Sequence, residues 1–365
     1  MSFSFIYGLT LFAGFLLALV FTPLSRALAV STGFIDYPKE DRVHRRPTPF
    51  LGGLAVAMAA AIATGIVVSL APLPAAWAAA ALPRFAVPFT FVMAGSALAL
   101  GLVDDRLELN PLQKLTGQVA ISFVFLVQGL SFGIADLIFW PIGLLWLVGL
   151  LNAFNLLDNM DGVLSGIATL IGLFLGGAAL SLGRPDLAAL AFAAGGASLG
   201  FLCFNFPPAS IFLGDAGAFF IGFLMAGVGW HLVGDQFLSF TSATAGVVLI
   251  LSYPIFDVTF VTVTRSLEKR PIHVGGIDHT THRLHAILGR NRRALWMVYS
   301  TVALSGIAGL VAIHVDPVAA WSLLILAGCL YTALGVYLAR VPVRSQRFLS
   351  AFLSAEEAPT EREVA

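Results

Sequence analysis

The residues best equipped for chemistry in this sequence are five aspartates. Asp104 and Asp105 are adjacent in GLVDDRLELNPLQK, residues 101–114; Asp158 and Asp161 stand three apart in NAFNLLDNMDG, residues 152–162; Asp215 lies beside Gly214 and two before Gly217 in NFPPASIFLGDAG, residues 205–217. Asn152, Asn155 and Asn205 are interleaved with them. One aspartate alone reads as a solvated loop acid. Several gathered in one place repel each other and persist most easily around a bound cation. An all-oxygen donor set suits Mg²⁺, which is held by one or two carboxylates together with substrate phosphates; Mn²⁺ is the expected substitute. Basic groups recur in separate segments: Arg42, His44, Arg45 and Arg46, then Lys114, then His279, His282 and Arg283. Acids for a metal and bases for phosphates are the parts of a phosphoryl-transfer site, where positioning and charge stabilisation supply most of the catalysis.

The elements that must bring these groups together are transmembrane helices. The chain has 365 residues, 58% hydrophobic and 11% charged, against about 25% charged in a soluble domain. A chain this apolar needs lipid as its solvent. A bilayer-spanning helix takes about 20 mostly apolar residues, and eleven candidates run near 4–24, 50–70, 85–103, 116–131, 137–152, 163–182, 187–204, 216–234, 243–263, 294–314 and 317–340. The expected fold is therefore all-α, a polytopic bundle forming one integral-membrane domain over 1–343, followed by a polar, mobile tail over 344–365. The first basic residue, Arg26, follows the first apolar run rather than preceding it, so that run reads as a first span and not as a cleavable signal.

Orientation follows from Lys and Arg. With the N-terminus outside, 18 of the 20 basic residues fall on the inner side and only Arg84 and Arg184 outside, the asymmetry of a cytoplasmic face. All five aspartates then lie on that inner face, at helix ends or in loops. The formal net charge of +0 gives no pointer to nucleic acid, and none is expected as a partner. Cys203 and Cys329 sit in apolar runs; they form no disulfide framework and read as small core residues.

Five segments in this order resemble the polyprenyl-phosphate N-acetylhexosamine-1-phosphate transferases, in particular the WecA and TagO type, with the MraY type more distant. They are VHRRPTPFLGG (43–53), GLVDDRLELNPLQK (101–114), NAFNLLDNMDG (152–162), NFPPASIFLGDAG (205–217) and GGIDHTTHRLH (275–285), and together they cover almost the whole chain. The resemblance implies transfer of a sugar-1-phosphate, by default from UDP-GlcNAc, to undecaprenyl or another polyprenyl phosphate, with release of UMP and use of Mg²⁺. It places this at the cytoplasmic face of a bacterial inner membrane, at the start of a lipid-linked surface polysaccharide such as O-antigen or another cell-wall polymer.

Residue by residue, the resemblance makes Asp215 the metal ligand with Asp105 as a second, and sets one of the pair Asp104 and Asp105, without saying which, at the lipid phosphate as a base or a shaper of the field around it. It puts Asp161 at the uracil and Asn152, Asn155 and Asp158 near ribose and phosphate, with Asn205 lining the same pocket. Arg45, Arg46, Lys114 and Arg283 would meet phosphates, and His279 and His282 the pyrophosphate or sugar. Two departures stand out. The histidine motif reads His279-Thr280-Thr281-His282, with Thr281 where a second histidine often stands, and Ala218 follows GDAG where many members have Ser. His273 and His285 are unassigned. Asp257, in SYPIFD beside Pro254, reads as a site-wall residue, since an intramembrane carboxylate is costly and functional by default.

Two other readings were weighed. A transporter would gather its polar groups at the bilayer midplane, whereas here they collect on one face. An MraY-type enzyme using a peptide-bearing muramyl donor would share most of the motifs. The apolar surface permits a homodimer without requiring one.

Overall fold

A computed structural model describes residues 3–37, 47–70, 83–127, 136–234, 239–272 and 276–342. The described chain is helical almost throughout. Its helices are α1 (Phe3–Thr32), α2 (Gly52–Leu70), α3 (Pro83–Leu107), α4 (Pro111–Val127), α5 (Asp136–Leu157), α6 (Val163–Ser181), α7 (Pro185–Asn205), α8 (Gly214–Val233), α9 (Ser242–Ile250), α10 (Ser252–Leu267), α11 (Thr280–Leu288), α12 (Asn291–Ile313) and α13 (Pro317–Ala339). The one described sheet is a two-residue antiparallel pair, β1 (Ile35–Asp36) with β2 (Thr48–Pro49). The tail, His273 and residues 42–46, with the expectations attached to them, lie outside the described residues.

Eight of these helices are long and apolar enough to cross a membrane, and the bent pair α9–α10 makes a ninth if it is one span. α2 and α4 are shorter apolar helices. Over their described residues ten of the eleven apolar windows each fall on a single helix, two of them shorter than a full span, and the window at 243–263 falls on two helices. The window at 243–263 is not one straight helix: it bends by 64° between Ile250 and Ser252. Pro254 explains the place of the break, because it has no N–H to give the Ile250 carbonyl and its ring crowds that carbonyl.

The bundle is built around α8. From Ala216 to Gly229 every residue of α8 is buried, and α3, α5 and α2 pack along it. Small residues let the backbones meet: a Cβ on Gly101 of α3 would stand 2.4 Å from Ala216 Cα, and one on Gly53 of α2 would stand 2.2 Å from Gly217 Cα. This close approach is the usual device for packing helices in lipid, where dispersion rather than water exclusion drives association. α13 is the most peripheral helix, with Val318, Ile325 and Leu330 more than 60% exposed, as a lipid-facing helix should be. Cys203 and Cys329 are exposed rather than in the core. A weakly polar thiol on a lipid-facing helix surface meets the same apolar surroundings that a core would offer.

Candidate active site

The aspartates converge at one end of the bundle, where α3 ends, α4 and α8 begin, and the α5–α6 turn crosses between them. Asp105 receives the backbone N–H groups of Asp215 and Ala216 on its two oxygens, at 3.0 and 3.1 Å. It thus caps the start of α8 from a different helix, satisfying N–H groups that an α-helix leaves open. Gly214 makes the turn possible. Its φ of +79° is left-handed, and a Cβ there would stand 2.9 Å from Asp105 Oδ2 and 2.8 Å from the Phe50 carbonyl. The segment from Pro49 to Gly53 is bonded alongside: Phe212 N–H donates to the Pro49 carbonyl at 2.8 Å, and Gly53 N–H to the Leu213 carbonyl at 2.8 Å.

Lys114 is the cation of the cluster. Its ammonium is ion-paired with Asp104 Oδ2 and lies 3.3 Å from Asp215 Oδ2. The other Asp215 oxygen accepts from Asn155 Nδ2 at 2.9 Å. Asp104 is buried, and its second oxygen accepts from Leu109 N–H at 3.0 Å, closing the turn after α3. Three segments distant in sequence thus share one polar cluster of oxygen donors around one ammonium.

Asp158 and Asp161 belong to the α5–α6 turn. Asp158 keeps part of its surface open, yet it is enclosed by protein. That burial, with the charges of Asp215, Asp105 and Asp161, pushes its carboxyl up to about 8. Asp161 accepts from Ala209 N–H at 2.8 Å, which joins the turn to the Pro207–Pro208 loop before α8. Asn205 is buried and fully engaged: it accepts from Gly162 N–H at 3.0 Å and Ser165 Oγ at 2.8 Å, and donates to the Ile211 carbonyl at 3.1 Å. Its part is to hold the turn against the segment that leads to Asp215. Asn152 pairs with Gln118, Nδ2 to Oε1 at 2.7 Å. Both lie at the seam between α4 and α5, where a shallow, open groove is lined by Val119, Leu144, Leu145, Val148, Gly149 and Asn152.

The histidines form a second cluster on α11. His279 Nδ1 lies 2.9 Å from Asp257 Oδ2, and the His279 and His282 rings are 5.9 Å apart. Burial, then the neighbouring His279, lowers His282 to about 3. α11 reaches the aspartate cluster through Thr281 Oγ1, which donates to Asn159 Oδ1 of the α5–α6 turn at 2.8 Å. Arg283 is buried and turned to the fold: its guanidinium donates to the carbonyls of Leu338 at 3.0 Å and Val341 at 2.9 Å and to the Asp278 carbonyl at 3.2 Å. Leu338 belongs to the last turn of α13 and Val341 lies just beyond it.

Sequence reasoning passed over four residues that build the site. Gln118 sits one helical turn beyond Lys114, so i,i+4 spacing could have found it. Asn159 lies inside the motif already singled out. Tyr299 donates to the Gly162 carbonyl at 2.6 Å from α12, and no local signal marks it. Asp278 accepts from Arg265 at 2.7 and 3.1 Å and pairs with Arg270 at 2.7 Å. Burial would raise its carboxyl, but those two guanidiniums hold it well below the usual range. This buried pair fixes the connection between α10 and α11.

Among the described residues no group of three or more His, Cys, Asp or Glu side chains forms a ready-made metal cage. The donors at Asp215, Asp104 and Asn155 are all oxygens or amides, and both carboxylates already share one cation. Such a set fits a hard divalent ion that takes the rest of its shell from substrate phosphates and water.

Comparison with known proteins agrees with this geometry. A family model described as glycosyl transferase family 4 matches residues 87–232, which hold Asp104, Lys114, Asn155 and Asp215. A phospho-N-acetylmuramoyl-pentapeptide-transferase of a Synechococcus strain is 35% identical over 52% of this chain and 56% of its own length. A probable undecaprenyl-phosphate N-acetylglucosaminyl 1-phosphate transferase of Bacillus subtilis is 29% identical over 78% of both chains. A putative glycosyltransferase of Streptomyces coelicolor is 31% identical over 89% of this chain and 75% of its own. With that much shared length at that identity, and with the family's own segment carrying the aspartate cluster, this chain belongs to glycosyl transferase family 4.

Proposed function

We propose that the protein transfers N-acetylglucosamine-1-phosphate, or a closely related N-acetylhexosamine-1-phosphate, from a UDP-sugar to a polyprenyl phosphate and releases UMP. The observation that carries this is the sharing of Lys114 between Asp104 and Asp215, with Asn155 on the far oxygen. That arrangement holds opposite charges ready for two phosphate groups. The name of the Bacillus subtilis relative supplies the sugar and the lipid class.

In this reading a lipid phosphate oxygen forms a bond to the β-phosphorus of the UDP-sugar. The bond from that phosphorus to the α–β bridging oxygen breaks, and UMP leaves with the electron pair. A phosphate monoester has a second pKa near ~6, so the acceptor is largely dianionic at neutral pH and needs little help from a base. Lys114 holds the acceptor phosphate as a point charge. Asp105 positions Asp215 by capping α8, and Asn155 orients its carboxylate. Asp161 and Asp158, on the α5–α6 turn, face the nucleotide. Asp215 would hold Mg²⁺, which when bound offsets charge on the transferring and leaving oxygens. The open apolar groove between α4 and α5, which Asn152 borders, offers a path for the prenyl chain. The site works at the cytoplasmic face, on the strength of the Lys and Arg asymmetry.

The half-length match to a pentapeptide transferase favours one second reading, a muramyl-peptide donor. Purified protein incubated with undecaprenyl phosphate, Mg²⁺ and a panel of UDP-sugars, including UDP-MurNAc-pentapeptide, separates the two. UMP release with UDP-GlcNAc or a simple N-acetylhexosamine relative is expected; release with the pentapeptide donor alone would replace this reading by the second.

A further inference from the structure

Asp257 is a fully buried carboxylate with no role in the aspartate cluster. Every polar contact it makes goes to the start of α11. Its Oδ2 meets His279 Nδ1 at 2.9 Å, and its Oδ1 accepts from Thr280 N–H at 3.0 Å and from Thr280 Oγ1. Tyr253, one turn earlier on α10, places its hydroxyl 3.0 Å from the same Thr280 oxygen. The Thr280 hydroxyl donates to Asp257, so it accepts from Tyr253, and the chain of donors runs Tyr253 to Thr280 to Asp257. Thr280 supplies two donors to Oδ1, and an ionised carboxylate, which has no proton to give, can only accept from His279 as well. His279 Nδ1 must then carry a proton, which leaves Nε2 as the ring nitrogen not committed to the fold.

Two structural facts make this more than a buried pair. His279 is the residue just before α11, so the same carboxylate that fixes its ring also caps the helix that carries His282. Pro254, by breaking the span between Ile250 and Ser252, sets α10 at 64° to α9 and so directs Asp257 to α11. Two residues beyond His279, Thr281 is bonded to Asn159 of the turn that holds Asp158 and Asp161.

We propose that Asp257 is a positioning residue of the transfer reaction. Its carboxylate holds His279 as the Nδ1–H form at a fixed ring angle, so that Nε2 is presented to the phosphate or sugar of the bound donor. The inference rests on the transferase reading above. Carboxylates that orient a functional histidine from behind change activity by about 10–100-fold when removed, as metal-site histidines illustrate. Thr280 serves the cap and not the ring, so its loss should be felt in stability rather than in turnover.

The test uses the full-length protein in lipid nanodiscs with uniformly ¹⁵N-labelled histidine. His279 is assigned by its absence from His279→Gln. In the unmodified protein His279 is expected with a protonated Nδ1; a resonance pattern with the proton on Nε2 alone overturns the proposal without any variant at Asp257. For Asp257→Asn, which keeps the shape and can still accept from Thr280, kcat for UMP release is expected to fall about 10–100-fold with KM for the UDP-sugar little changed. Asp257→Glu should restore part of the loss. Asp257→Asn in the His279→Gln background should cost nothing further in kcat. Equal losses in both backgrounds, or a turnover that tracks thermal stability across Asp257→Asn and Thr280→Val, would assign Asp257 to structure alone. Unmodified protein that releases no UMP from any donor would remove the transferase reading itself, while a Asp257→Asn enzyme as fast as the unmodified one removes only this inference.

Discussion

Lys114 offsets two carboxylates at once, so its loss leaves Asp104 and Asp215 facing each other without a counter-charge. Lys114→Met is expected to lower UMP release by about 10²-fold or more, and Lys114→Arg to retain part of it, because a guanidinium keeps the charge but not the compact shape. His282 gives a residue-scale expectation about pH. Its folded pKa, about 3, lies below the unfolded value near 6.5, so the unfolded chain binds more protons between the two. The stability it contributes is present above pH 6.5 and is lost as pH falls toward 3. The melting temperature in detergent should therefore drop between pH 7 and pH 5, and His282→Gln should flatten that slope. An unchanged slope in the variant would place the acid sensitivity elsewhere.

At the scale of elements, the site depends on how closely α3 and α2 approach α8. Gly101→Val would push α3 off Ala216 and lift Asp105 from the amides of Asp215 and Ala216. Overpacking of this kind costs about 1–3 kcal/mol, and turnover should fall further than the melting temperature implies. The α10–α11 connection depends on the Arg265–Asp278 pair, both buried. Asp278→Asn leaves Arg265 without its counter-charge, a change that costs about 3–5 kcal/mol when both groups are buried. It should expose the 268–278 connection to limited proteolysis. Here the limits of reading a sequence are plain. The types and spacing of Asp104, Asp105, Asp158, Asp161 and Asp215 were legible, because clustered acids at helix ends are rare without a cation. That Asp105 would cap α8, that Asn205 would hold a turn, and that Arg283 would close α13 was not. Each of those partners comes from an element remote in the chain, and only the packing decides it. Asp257 was legible as costly, and its partner His279 was not.

For the whole molecule, composition alone marked lipid as the solvent, and the apolar windows fell where the helices are. Pro254 in SYPIFD marks where the ninth window opens, although averaging over a window hides it; the lipid-facing cysteines were not legible, since lipid and core are equally apolar. Orientation is open to a direct check. In a variant with Cys203 and Cys329 replaced by Ala, Ser266→Cys, at the acidic end, and Ser181→Cys, at the opposite end, are both exposed positions. A membrane-impermeant maleimide should label Ser266→Cys only in inside-out vesicles and Ser181→Cys only in intact cells; the reverse pattern would turn the topology over.

In the proposed reaction the acids gathered around Lys114 are the place where the phosphoryl group is transferred. Asp215→Asn tests this most directly, because the amide keeps the volume and one of the two acceptor oxygens, so it can still accept from Asn155 or Lys114 while losing the charge. Measured as UMP release by purified protein in detergent with undecaprenyl phosphate, UDP-GlcNAc and Mg²⁺, the variant should lose at least about 10³-fold in kcat while its melting temperature stays close to that of the unmodified protein. A variant that folds and turns over at nearly the unmodified rate would contradict the account.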